Sequence, residues 1–217
     1  MSNRLTKKDR PNPINEEILI PDEEVLISIT DPKGVIIEAN EIFCKVAGYS
    51  EEELIGSPHN MIRHPDMPRI MFKIVWDRIK EKENVMAVVK NLAKDGRYYW
   101  IVTDFVTKVA ADRSIINYTA YRRPVGDNVK DAVIPLYKTL CAIEDLSGIE
   151  ASEKFLNDYF EQIGMTYDEM IEEIIVKNCH KAAALGLGAN TNETLQAMKE
   201  MPSEKKRSLF DKLFGVK

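Results

Sequence analysis

The chain has 217 residues, 44% of them hydrophobic, enough to bury the core of one domain or of one and a half. Its 30 basic and 35 acidic side chains leave a net charge of −5, which supplies no general attraction to nucleic acid or to an anionic membrane surface. No apolar run approaches the roughly 20 residues that span a bilayer, and the opening residues lack a signal peptide's apolar core, so a cytoplasmic protein without direct membrane insertion is expected. Cys44, Cys141 and Cys179 are widely spaced with no Cys-x-x-Cys pair, and read as free thiols.

In chain order, residues 1–14 are polar and basic with two prolines and read as a mobile arm. Residues 25–30 and 35–38 are short β-branched runs around Asp31-Pro-Lys-Gly34, turn chemistry that predicts a hairpin. Residues 40–47 carry Ile42, Phe43, Val46 and Ala47 at helical spacing, and Ser50-x-x-Glu53 has the form of a capping box for a short helix ending at Gly56. Residues 68–83 place Ile70, Met71, Ile74, Val75 and Ile79 on a 3.6-residue period, with Pro68 tolerated in the first turn, and predict one long helix. Runs at 85–91, 97–108 and 115–122 predict three more strands, the first two joined through Asp95-Gly96. Residues 15–124 therefore read as an α+β domain, a five-stranded antiparallel sheet with short helices on one face.

From residue 125 the pattern is helical only, which predicts an all-α region over 125–184. Val133, Leu136, Tyr137 and Leu140 form one stripe, and Phe155, Leu156, Tyr159, Phe160 and Ile163 a second before Gly164. Thr166-x-x-Glu169 opens a third with Met170, Ile171, Ile174 and Ile175. Residues 185–217 open on Leu185-Gly-Leu-Gly188, a flexible break, and predict a terminal amphipathic helix over 203–214 with Leu209, Phe210, Leu213 and Phe214 as a docking stripe.

The stretch Pro58-His-Asn-Met-Ile-Arg-His-Pro-Asp66 crowds two of the three histidines, an arginine and an aspartate where two prolines forbid a continuous helix. Polar side chains on an irregular segment are where binding chemistry is usually placed, so this is the candidate site. Arg63 presents a planar fork that can bind two oxygens at once, and His64 and Asp66 can orient each other or a ligand. Asn91 is a polar residue on an otherwise apolar strand. His59 and His64 stand five apart rather than four apart on one helix face, with no cysteine pair near, so no metal site is expected. No phosphate-binding glycine loop and no nucleophile elbow occurs, so no catalytic residue and no enzyme activity is expected.

Read together, Ile29-Thr-Asp-Pro-Lys-Gly-Val-Ile-Ile-Glu-Ala-Asn40, Phe43, Gly48-Tyr49, Val88-Val-Lys-Asn91, Asp95-Gly96 and Tyr98-Tyr-Trp100 resemble a PAS domain. The string Pro-His-Asn-Met-x-Arg-His-Pro-Asp-Met-Pro is similar to the flavin-binding PAS domain of bacterial aerotaxis receptors, and the resemblance covers a little over half of the chain. It implies a PAS fold followed by the all-α region, and FAD as cofactor. The cofactor-binding positions it implies are Arg63, His64 and Asp66 with Asn40, Asn91 and Trp100, and His59 of the same segment is a further candidate. One position departs from the pattern: where relatives often carry a tryptophan just before the third strand, this chain has Met86.

A flavin site needs an apolar slot, amide-like groups at the ring edge and a cation for the phosphates, and these residues offer each part. Two alternatives share the segment: haem b held by one axial histidine, and an apo interaction module whose pocket is filled by its own side chains. A LOV-type photosensor is not expected, because the position of its adduct-forming cysteine reads Gly56-Ser-Pro-His59. The resemblance thus implies a redox and energy-taxis sensor, and no output enzyme is expected. The resemblance implies a separate chemoreceptor-type transducer as partner and leaves a homodimer open.

Overall fold

The computed structural model describes residues 5–177. They divide into two units, one formed by the residues up to Met67 with Met71–Val125, the other by Pro68–Ile70 with the residues from Gly126 onward.

The first unit is a five-stranded antiparallel sheet with β1 (Leu26–Thr30), β2 (Ile36–Ala39), β3 (Val85–Leu92), β4 (Tyr98–Val109) and β5 (Ile115–Pro124) in the spatial order β2-β1-β5-β4-β3. Between β2 and β3 the chain forms α1 (Glu41–Ala47), α2 (Glu51–Leu54), a 3₁₀ turn at His59–Ile62 and α3 (Arg69–Lys80). The β1–β2 turn forms because Asp31 Oδ1 accepts from the N–H groups of Lys33 and Val35, and Gly34 takes φ +80°. A Cβ at Gly34 would lie 2.9 Å from the Trp76 indole, so the glycine also lets that ring close over the turn. Asn40 caps α1 by accepting from Phe43 N, and Ser50 with Glu53 closes the predicted capping box on α2.

Register decides which side chains can form a site. Successive strand residues point to opposite faces, and the pairs Ser28↔Ala120, Thr103↔Arg122, Phe105↔Ala120 and Asn91↔Tyr99 put Ser28, Asn91, Thr103, Phe105, Ala120 and Arg122 on one face. Met86, Lys90 and Trp100 fall on the other.

The opening segment, expected as an arm free to residue 14, is tied to the sheet domain. Leu5 N donates to Ser57 Oγ, Ile14 N to the Gly96 carbonyl, and Ile18 N to the Tyr98 carbonyl, while Tyr98 N donates to the Glu16 carbonyl. Backbone groups offered by the β3–β4 turn and its flank thus capture a polar segment that composition alone reads as loose.

The second unit holds α4 (Asp127–Ser147), α5 (Ile149–Ile163) and α6 (Tyr167–Glu172), the last running into a π turn at Glu173–Lys177. All three predicted stripes are largely buried, through Val133, Leu136, Tyr137 and Leu140, then Leu156, Tyr159 and Ile163, then Met170, Ile171 and Ile174. Gly164 ends α5 in the left-handed region, and Thr166 with Glu169 forms the predicted capping box of α6. Buried Glu144 accepts from the Ser152 hydroxyl and from the backbone N–H groups of Arg69 and Ile70, which satisfies its carboxylate. Among the described residues no helix is long and apolar enough to cross a membrane. The predicted break at 185–188, the terminal helix over 203–214 and Cys179 lie outside the described residues.

Candidate functional site

The inward face of the sheet, α3 and the 3₁₀ turn enclose a cavity of about 350 Å³. Its apolar walls come from Val75, Trp76 and Ile79 on α3 with Val89, Phe105 and Ala120 on the sheet. The helix supplies residues one turn apart and the strands supply alternate residues, so both periods read in the sequence converge on one space. Trp76 stands edge-on to Tyr118 at 5.7 Å, which orients the indole in the wall. No cysteine is among the lining residues.

Polar groups enter this apolar space at a few points. His59, Arg63 and Asn91 line it, joined by Ser28, Thr103 and Arg122. Arg122, only 1% exposed, donates from Nη2 to Ser28 Oγ at 3.0 Å and to His59 Nε2 at 2.6 Å, and from Nη1 to the Ala120 carbonyl at 3.3 Å. Its guanidinium also lies over the Phe43 ring at 5.0 Å, and Phe43 stacks on His59. Burial lowers the Arg122 pKa to about 10, which leaves it charged at neutral pH. For His59, burial first and the neighbouring guanidinium second push the imidazole well below its ordinary value. His59 as a residue is half-buried and lines the cavity wall. His59 is therefore neutral with the Nε2 lone pair turned to Arg122, and that lone pair is not free for a haem iron.

Near the cavity, two buried hydroxyls have no hydrogen-bond partner of good geometry among the described residues: Thr103 Oγ1 in the cavity wall, and Tyr99 Oη beside Asn91. Orphaned buried polar atoms beside a cavity are groups that a ligand can satisfy. Arg63 and the exposed Lys33 also line the cavity, Arg63 packed 4.8 Å over the Phe72 ring and donating to the Met67 carbonyl at 2.6 Å. These parts fit a planar heterocycle with hydrogen-bonding edges and an anionic tail: apolar faces and a buried amide and hydroxyls within, and the Arg63 and Lys33 cations toward solvent.

The seven residues singled out in the sequence divide. His59, Arg63 and Asn91 meet in the cavity. His64 and Asp66 do not, and the reason is local geometry. Arg63 is extended and bridges Asn91 on the edge strand β3, so the next side chain turns to the opposite face. There His64 stands edge-on to Tyr98 and its Nδ1 accepts from Asp66 N at 3.1 Å, while the Asp66 carboxylate pairs with Lys90 at 2.8 Å. Burial first and Lys90 second lower the His64 pKa to about 4, with Asp66 opposing.

Asn40 is taken up by structure, accepting from Ile27 N and donating to the Val25 carbonyl in addition to its helix cap. Trp100 pairs with Lys90 on the outward face and lines no part of the cavity. Met86, the position that departs from the family pattern, is outward too and lies off the cavity wall, where Trp76 supplies an indole. The residues sequence reasoning missed are Trp76 and the Ser28–Thr103–Arg122 group. Their signal is parity: Tyr118 and Ala120 place the inward face of β5, and Arg122 shares it.

Residues 36–118 match the PAS fold family. The aerotaxis receptor of Escherichia coli is 41% identical over 123 residues, 57% of this chain and 24% of the receptor. The biofilm dispersion protein BdlA of Pseudomonas aeruginosa is 29% identical over 139 residues, 58% of this chain and 33% of that protein. The chain thus spans about a quarter to a third of the length of these relatives. Among solved structures, the light state of the blue-light photoreceptor Aureochrome1 LOV aligns at TM-score 0.45 with 19% identity, over 55% of this chain and 91% of that one. With its sheet order, inserted helices and Arg-His-Pro-Asp segment, the sheet domain of this chain is a PAS domain of the aerotaxis-receptor type.

Proposed function

We propose that this chain is a cytoplasmic redox sensor for energy taxis that holds FAD in the PAS cavity and signals to a separate chemoreceptor-type transducer. The observation that carries the reading is the cavity itself, whose apolar walls contain a buried amide, an orphaned hydroxyl and a buried guanidinium, with further cations at its solvent side. When bound, the flavin would supply reversible electron uptake, which changes the charge and donor pattern at its ring edge. The residues do the rest. Val75, Ile79, Val89 and Trp76 exclude water from the ring faces, Asn91 and Thr103 meet its polar edge, and Arg63 with Lys33 meets the diphosphate.

A ligand that changes charge beside Arg122 changes the pull on Ser28 and His59, and so biases the β1 strand and the 3₁₀ turn that carry them. The absorption spectrum of the purified full chain tests the reading. Flavin bands, and FAD rather than FMN by chromatography after heat release, support it. A haem spectrum, or a colourless protein that takes up no FAD on reconstitution, overturns it.

A further inference from the structure

A buried cation without a counter-charge is costly, and structures keep one where something repays the cost. Arg122 is such a cation. Three of the guanidinium's five N–H groups are engaged, by Ser28, His59 and the Ala120 carbonyl, and the other two have no partner among the described residues. Every one of those acceptors is neutral. The titratable groups around it are His59 from the 3₁₀ turn and Tyr99 from β4, one neutral imidazole and one neutral phenol whose pKa is raised chiefly by burial. Phe43 covers one face of the guanidinium, and no carboxylate pairs with it among the described residues. The neighbouring Arg123, by contrast, faces outward and lies 3.5 Å from Asp104. Adjacent arginines on one strand are therefore treated oppositely, and the one without an anion is the one that lines the cavity.

We propose that Arg122 is the anion subsite of the cavity, receiving through its free N–H groups the negative charge that a reduced flavin carries on its N1–C2=O edge, so that the protein binds reduced flavin as the monoanion. This rests on the FAD reading above and deepens it. Reduction of the oxidised, neutral ring takes two electrons from an external reductant, dithionite in the experiment below, and one proton, which adds at N5. The remaining negative charge is spread over N1 and the C2 carbonyl oxygen. A fixed guanidinium aimed at developing charge in a dry site stabilises that form without reorganisation, and leaves the oxidised ring nearly untouched. The same contact gives the sensor its readout, since Arg122 re-divides its hydrogen bonds between the ligand and the Ser28–His59 pair as the charge appears.

The test is potentiometric titration of the full chain reconstituted with FAD, as wild type, Arg122→Gln and Arg122→Lys, with dithionite as reductant at several pH values. Retention of FAD by the wild type is read first; its absence removes the FAD reading, and this proposal with it. In mildly acidic buffer, where free reduced flavin takes up two protons, the wild-type midpoint is expected to fall by about 30 mV per pH unit, one proton per two electrons. Loss of a charge-assisted contact in Arg122→Gln is expected to weaken reduced-flavin binding about ten- to a hundredfold relative to oxidised, which lowers the midpoint by about 30–60 mV. Arg122→Lys keeps the charge and stays nearer the wild type. A wild-type slope of about 60 mV per unit overturns the proposal, as does an Arg122→Gln protein that binds FAD at an unchanged midpoint. Should Arg122→Gln fail to fold, the wild-type slope still decides.

Discussion

His59 and His64 lie five residues apart on one segment and meet opposite surroundings. His59 is in the cavity wall, stacked on Phe43 and accepting from a buried guanidinium. His64 is on the other side of the edge strand, against Tyr98, in a cluster closed by Asp66 and Lys90. One extended residue, Arg63, separates the two environments. A motif contiguous in sequence is thus split by strand geometry into a half that faces the cavity and a half that fixes the segment to the sheet.

The largest effect expected from this division is on pH stability, because both histidines are neutral when folded. Their folded pKa values lie below the ordinary 6.5, so the unfolded chain binds more protons in between. Stability is full above about 6.5 and is lost as pH falls toward about 4, by on the order of 3 kcal/mol for His64. Urea midpoints across that range check it, and His64→Gln should flatten the slope. A slope equal in wild type and variant would assign the whole effect to the cavity end.

Next is His59→Leu, which removes the acceptor from Arg122 and leaves a buried donor unsatisfied. It should cost about 2–3 kcal/mol in a denaturant titration of the FAD-free protein; a loss under about 0.5 kcal/mol would mean that Arg122 does not depend on it.

Binding separates the halves more sharply. Arg63→Ala should weaken FAD about ten- to a hundredfold at unchanged melting temperature, since a charge-assisted contact to the diphosphate is lost while the fold is kept. In Asp66→Ala any fall in affinity should track the fall in stability, because that side chain acts through placement of the segment. Equal affinity losses at equal stability would put both halves in contact with ligand.

The smallest effect is on the turn beside the cavity. Gly34→Ala places a Cβ against the Trp76 indole at positive φ and should cost about 1–2 kcal/mol, with a shift in tryptophan fluorescence.

Most of the sheet domain was legible because its signals are local. The Asp31–Gly34 turn, the Asp95-Gly96 turn, the Ser50–Glu53 box and the period of α3 each act within a few residues, and each appears where its residues stand. The site was legible in part. Arg63, His59 and Asn91 carry chemistry unusual for their segments, and they converge. The resemblance implies a ligand contact for Asn40, whereas an Asn opening a helical run is also among the preferred caps, and the structure uses it as one. Trp100 and Met86 depend on register, which is fixed by pairing between distant strands and leaves no mark on either sequence alone. Arg122 was missed because a charged residue on a strand is by default an outward one; only the parity it shares with Ala120 says otherwise.

The proposed occupant of this cavity is FAD. Fluorescence titration of the full chain with FAD, beside an Ala120→Phe variant that fills the cavity from the middle of β5, tests it most directly. Saturable binding by the wild type and none by the folded variant is the expected result. Equal binding by both would place the flavin elsewhere, and the absence of binding to either would rule out FAD as the ligand.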